Sequence, residues 1–212
     1  MNIELFRKLP IIGIIRNVPS DSFEGTIEAA ITGGLTTIEI TLNTPGALKL
    51  IKTVACKYST TINLGAGTVC TLAETEAAIS AGASFIVSPL TDLSMIAFCK
   101  EKNIPIFPGA LTPTEIYNAY QAGATMIKVF PVSIMGGPEY IKQLKGPFDN
   151  IQLLACGGVR PGNLAAHFKA GASAVAVGNT VFNPEWMLNE EYNKISESAH
   201  SFVEAYNDSI NI

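Results

Sequence analysis

One lysine stands inside an apolar run at 124–131, Ala-Thr-Met-Ile-Lys-Val-Phe-Pro. Lysine has low strand propensity, and an unpartnered buried ammonium is costly. Lys128 therefore reads in one of three ways: it is salt-bridged, it snorkels out at a strand end, or it is an amine used for covalent chemistry. Glu39 is the second residue of this kind, set between Ile38 and Ile40 in the run at 36–43. If the two isoleucines face outward, Glu39 faces the interior, where a carboxyl must be paired or protonated. An amine and a carboxyl brought together can do Schiff-base chemistry. The amine attacks a ketone, and the acid/base removes the carbinolamine hydroxyl and moves protons at carbon. The competing reading is a buried ion pair of Glu39 with Lys128 or Arg16.

Other strand-end residues suggest an anionic substrate. Arg16 closes the run at 10–16, and its guanidinium would hold a carboxylate or phosphate; a structural pair with Glu39 is the alternative. Thr68 follows Gly65-Ala66-Gly67, glycines that would let substrate approach the backbone. Gly157-Gly158 and Gly178-Asn179 end two further apolar runs. Amides in such turns, with a helix start behind them, form an anion nest, although glycine is common at any strand-to-helix turn. His167 and His200 fall in helical stretches and read as packing or surface residues. Cys156 reads as a small core residue rather than a reactive thiol.

Eight apolar runs must position these residues, at 10–16, 36–43, 62–69, 85–89, 105–109, 126–131, 151–159 and 174–179. Each is followed by a helical pattern, and a short helix over 2–8 precedes the first. Ser22 or Asp21 is expected to cap the second helix, Pro45 to open the third, and residues 190–207 to form the last. Ala-Gly repeats at 81–82, 122–123 and 170–171 end helices just before a new strand. Eight such units predict an α/β fold, a (β/α)8 TIM barrel with an N-terminal helix, spanning 1–212 as a single domain; an open doubly wound sheet is the runner-up. The barrel places its chemistry at the C-terminal strand ends.

Composition narrows the function. The 212 residues are 48% hydrophobic and 15% charged, which suits a sheet buried on both faces and argues against disorder. A net charge of −4 leaves no basic footprint for nucleic acid. Four scattered cysteines form no CxxC pair, so no metal site is expected. Neither a secretory signal nor a run of roughly 18 apolar residues is evident, and a reduced cytoplasmic protein away from membranes is the expectation.

Motifs run in order along nearly the whole chain: Gly-Ile-Ile-Arg (13–16), Ile-Glu-Ile-Thr-Leu-Asn-Thr-Pro (38–45), Gly-Ala-Gly-Thr-Val (65–69), Val-Ser-Pro (87–89), Phe-Pro-Gly (107–109), Ile-Lys-Val-Phe-Pro (127–131), Gly-Pro-Phe (146–148) and Cys-Gly-Gly-Val (156–159). Together they resemble the 2-keto-3-deoxy-6-phosphogluconate / 4-hydroxy-2-oxoglutarate aldolases. The resemblance implies a class I, metal-independent, cofactor-free aldolase of carbohydrate metabolism. It would be a homotrimer that cleaves 2-keto-3-deoxy-6-phosphogluconate to pyruvate and glyceraldehyde 3-phosphate in the Entner-Doudoroff pathway. Cleavage of 4-hydroxy-2-oxoglutarate to pyruvate and glyoxylate would accompany it. By the same resemblance Lys128 is the Schiff-base lysine and Glu39 the general acid/base. Arg16 and Thr68 bind substrate, Thr68 at the pyruvate carboxylate; Phe130 is the flanking aromatic, and Gly157, Gly158 and Gly178 hold phosphate. Three positions depart from the family pattern. Asn43 stands where the gluconate enzymes often carry Arg and the 6-phosphogalactonate aldolases carry Asn. Cys156 stands for the usual Thr, and Asn179 for the usual Ser. A 2-keto-3-deoxy-6-phosphogalactonate aldolase is thus the near alternative. A non-covalent isomerase or lyase on the same barrel, and a non-catalytic barrel that binds a phosphometabolite, are the distant ones.

Overall fold

The computed structural model describes residues 1–210. Nine short parallel strands form one sheet: β1 (Ile11–Ile15), β2 (Thr37–Thr41), β3 (Asn63–Gly67), β4 (Ile86–Val87), β5 (Ile106–Phe107), β6 (Gly109–Ala110), β7 (Ile127–Val129), β8 (Leu153–Cys156) and β9 (Ala174–Val177). The order is β5-β4-β3-β2-β1-β9-β8-β7-β6. The expected fifth strand is in fact two pieces, because Pro108 has no N–H for the ladder. Its carbonyl still serves: Lys128 N donates to Pro108 O at 2.8 Å. β5 pairs with β4 (Ile86 with Ile106) and β6 with β7 (Gly109 with Lys128). The split stave therefore hydrogen-bonds on both sides and closes an eight-stave barrel, not an open sheet.

Helices alternate with the strands: α1 (Ile3–Lys8), α2 (Phe23–Thr32), α3 (Ala47–Tyr58), α4 (Leu72–Ser80), α5 (Leu93–Glu101), α6 (Pro113–Ala122), α7 (Pro138–Lys145), α8 (Pro161–Lys169), α9 (Pro184–Leu188) and α10 (Tyr192–Ile210). Thr112 and Glu115 form a capping box on α6. The Ala-Gly repeats do end α4, α6 and α8, with Gly82, Gly123 and Gly171 all at positive φ. Two expectations need correction. Ser22 precedes α2 without a side-chain cap bond, and Pro45 lies outside α3, which Gly46 leads into at φ 72°. A 3-10 turn, Val132–Met135, and the five-residue α9 are too short for their periodicity to show in the sequence.

Period-two alternation sorts the strand side chains. Ile38, Ile40, Ile127 and Val129 pack outward in the cluster beneath the helices. Ile12, Ile14, Phe85, Val87, Leu154 and Cys156 fill the interior. Glu39 and Lys128, each between two outward residues, thereby point inward. The N-terminal end is closed by α1. Asn2 caps that helix and trades hydrogen bonds with Asn63 at the start of β3, while Phe6 stacks on Phe107 with ring centroids 6.0 Å apart.

Candidate active site

Lys128 is 5% exposed and Glu39 1% exposed, each in the middle of its strand. No ion pair joins Glu39 to Lys128 or to Arg16 among the described residues. Glu39 Oε2 is buried without a hydrogen-bond partner. Burial pushes the Glu39 carboxyl above the usual carboxylate range, against the opposing pull of Lys128 and, less strongly, of Arg16. The paired-ion reading is therefore not what the side chains form. Glu39 is a carboxyl kept toward its protonated state within electrostatic reach of an amine.

Two close approaches hold these groups. Lys128 Nζ lies 5.0 Å from the Phe130 ring centroid, two residues along the same strand end. Glu39 rests on the backbone of Gly67 in the neighbouring strand, where a Cβ would meet its Oε1 at 2.3 Å. Gly65 does the same for the Phe85 ring, also at 2.3 Å. This corrects the expectation that Gly65 and Gly67 open the backbone to substrate: both gaps are filled by side chains from adjacent staves. Gly67→Ala is expected to displace Glu39, cutting turnover by about 10²-fold or more and stability by about 1–3 kcal/mol. Steady-state kinetics and thermal melts of the variant check this.

Beside the pair, a cavity of about 360 Å³ opens at the C-terminal strand ends. It gathers Arg16, Phe130, Gly157, Gly158, Gly178 and Asn179 from among the sequence candidates, with Cys156 between them. Arg16 is its only charged lining residue among the described residues. Burial raises the Cys156 thiol, with Lys128 opposing and Glu39 assisting, which keeps this neighbour of the pair protonated. Gly157 and Gly158 turn at φ 105° and 74°, a conformation that costs other residues strain. Thr68 stands at the edge. Arg16 Nη2 donates to its Oγ1 over a long 3.5 Å, and its φ of 55° is a strained value for a β-branched residue. Asn43 is exposed beyond β2 and lies outside both the cavity wall and the Lys128–Glu39 pair.

Several residues that hold this arrangement carry no sequence signal of their own. Asn163 in α8 accepts from Arg160 N at 2.8 Å and donates to Gly158 O at 3.0 Å, fixing the glycine turn. Ser198 in α10 donates to Thr180 O at 2.8 Å and fixes the loop after β9. Thr44 Oγ1 accepts from Asn17 N at 2.9 Å and ties the Arg16 loop to the loop after β2. His167 is buried in α8 as a packing residue and His200 is exposed on α10, so neither belongs to the site.

A closed barrel with a buried amine, a buried acid and a cavity at its C-terminal strand ends whose one charged lining residue among the described residues is Arg16 has the groups for carbonyl chemistry on a small anionic substrate. Comparison with known proteins agrees. The family model for KDPG and KHG aldolase matches residues 3–198. The chain is 32% identical over 204 residues to 2-dehydro-3-deoxy-6-phosphogalactonate aldolase of Escherichia coli, covering 96% of this chain and 97% of that protein. It is 36% identical over 182 residues to 2-dehydro-3-deoxy-phosphogluconate aldolase of Pseudomonas aeruginosa, covering 86% and 78%. Among solved structures, KDPG aldolase from Legionella pneumophila, with pyruvate captured as a covalent carbinolamine intermediate, superimposes with a TM-score of 0.85 at 25% identity, covering 93% of this chain and 96% of that one. The chain belongs to the KDPG and KHG aldolase family, aldehyde-lyases of the class I pyruvate aldolase type.

Proposed function

We propose that this chain cleaves a 2-keto-3-deoxy-6-phosphohexonate, the gluconate-derived acid or its galactonate epimer at C4, to pyruvate and glyceraldehyde 3-phosphate through a Schiff base on Lys128. The observation that carries the reading is the orphaned, protonation-prone Glu39 carboxyl beside the buried Lys128 amine. The neutral amine attacks the C2 ketone. Glu39 donates its proton to the departing carbinolamine hydroxyl, directly or through a water, and the resulting carboxylate sits beside an iminium. It then takes the C4 hydroxyl proton as the C3–C4 bond breaks. The electron pair passes to the iminium nitrogen, which leaves an enamine and the aldehyde. Glu39 returns the proton to C3; water then hydrolyses the iminium to pyruvate and free amine, and the proton released re-forms the Glu39 acid.

Arg16 and Thr68 take the substrate's anionic groups, with Thr68 at the pyruvate carboxylate. Phe130 packs against the reacting carbons. Gly157, Gly158, Gly178 and Asn179 receive the phosphate. Arg16→Ala is expected to raise KM by about 10–100-fold, the worth of a charge-assisted hydrogen bond; initial-rate kinetics check it. Asn43, of the type found in galactonate enzymes, and the E. coli relative that matches almost end to end favour the galactonate epimer as a substrate. The direct test is a lactate-dehydrogenase-coupled pyruvate-release assay, run with and without EDTA, over both phosphorylated epimers and 4-hydroxy-2-oxoglutarate. A phosphorylated acid is expected to give the highest kcat/KM, and EDTA to change nothing.

We further infer a cytoplasmic homotrimer. Its support is the family resemblance, four unpaired cysteines, and an apolar surface where Leu90, Leu93 and Leu111 join Phe130 around a second cavity next to the site. Light scattering is expected to report three chains per particle.

A further inference from the structure

The glycine turn that ends β8 is held from two sides. On one side lies the 3-10 turn that follows β7. A Cβ on Gly158 would meet Ser133 Cβ at 2.7 Å, and one on Gly157 would lie 3.5 Å from Val132 N. On the other side is Asn163, in the first turn of α8. Its Oδ1 accepts from Arg160 N at 2.8 Å, and its Nδ2 donates to Gly158 O at 3.0 Å. The bond to Arg160 N needs only the oxygen. Aspartate would serve there as well, and its charge suits the positive end of a helix. What asparagine adds is the Nδ2 bond. That bond sets the direction of a peptide plane. The C=O and N–H of a trans peptide point opposite ways. With Gly158 O turned toward α8, Val159 N–H turns away from it, on the side of the cavity that Gly157, Gly158 and Val159 line. The Val159 side chain is 3% exposed and packs in the core. Its amide, like those of Gly157 and Gly158, donates to no protein acceptor among the described residues.

We propose that Asn163 is a positioning residue that makes the enzyme selective for a phosphorylated keto acid. It locks Gly158 O outward, so that the successive amides of Gly157, Gly158 and Val159 stay aimed at one anion. The inference rests on the aldolase reading above and adds a residue that stands outside the cavity wall. Two glycines at φ 105° and 74° let the turn adopt this shape, and they leave it equally free to relax out of it. A side chain that fixes the carbonyl removes that freedom before substrate arrives, so the ordering of the turn does not oppose binding. Successive aligned N–H groups carry partial positive charge, which a phosphate gains from and a hydroxyl does not. The Lys128–Glu39 pair lies elsewhere in the barrel and is untouched by the loss of Asn163.

The test compares a 2-keto-3-deoxy-6-phosphohexonate with the same acid lacking its phosphate, by pyruvate release from the full chain. Asn163→Ala is expected to raise KM for the phosphorylated acid by about tenfold, the worth of one good hydrogen bond, with kcat within about twofold. Both constants for the unphosphorylated acid are expected to stay within about twofold. A residue that merely capped α8 would lower the melting temperature and affect the two acids alike. Asn163→Asp isolates the second bond, because it keeps the acceptor for Arg160 N and has no donor for Gly158 O. It is expected to melt with the parent and still lose the phosphate preference. Equal losses on the two acids, or a preference retained in Asn163→Asp, overturn the inference while leaving the aldolase reading in place. A parent that shows no preference for the phosphorylated acid overturns both.

Discussion

Lys128→Met is expected to lower pyruvate release by about 10⁴-fold or more with every substrate, the scale seen when a covalent nucleophile is removed. Methionine keeps the unbranched stem and lacks the amine, so the loss reports chemistry rather than packing. The side chain is 5% exposed on a strand flanked by Ile127 and Val129, and replacing its amino group by a thioether removes a buried polar group. The melting temperature of the variant is therefore expected to equal or exceed the parent's. Steady-state rates together with calorimetry separate the two effects. A folded variant that retains turnover would mean that Lys128 is only a countercharge.

Glu39→Gln carries the second large effect, and it runs in opposite directions for rate and stability. The amide fills the same space but cannot shuttle a proton, so kcat is expected to fall by about 10²–10⁴-fold. Stability moves the other way. Burial raises the Glu39 pKa above its unfolded value, so the native state holds this proton more tightly than the unfolded chain does. Its contribution to stability is accordingly present at low pH and is lost as pH rises from the unfolded carboxyl range, about 4.3, toward the folded value. The Glu39→Gln variant lacks this penalty. Near pH 4 its melting temperature should match the parent's; by pH 8 it should exceed it by about 2–10 °C, equivalent to about 1–3 kcal/mol. Melting curves across that range read the trend. A variant that is less stable than the parent at every pH would show that Glu39 is a structural partner after all.

The sequence reveals the barrel because its staves are apolar runs, legible without knowing their neighbours. It also reveals Lys128 and Glu39, because a charge amid outward-facing isoleucines and valines has few structural explanations. What it hides depends on contacts between distant staves. Gly65 and Gly67 look like a substrate turn, yet their vacated space belongs to Phe85, just before β4, and Glu39 from β2. Pro108 sits in an otherwise continuous run, so the break between β5 and β6 shows only when the ladder is seen. Asn163 looks like any polar residue at a helix start, and its second bond, to Gly158 O, is visible only in three dimensions.

The role of the buried amine can be tested without knowing which keto acid the enzyme uses, because every candidate yields pyruvate. The protein is incubated with pyruvate, reduced with sodium borohydride, digested, and mapped by mass spectrometry. A covalent Schiff-base mechanism predicts a stable reduced adduct on Lys128 alone, loss of activity in proportion to labelling, and no adduct in Lys128→Met. An absence of adduct in the active parent, or labelling of another lysine in its place, would contradict it.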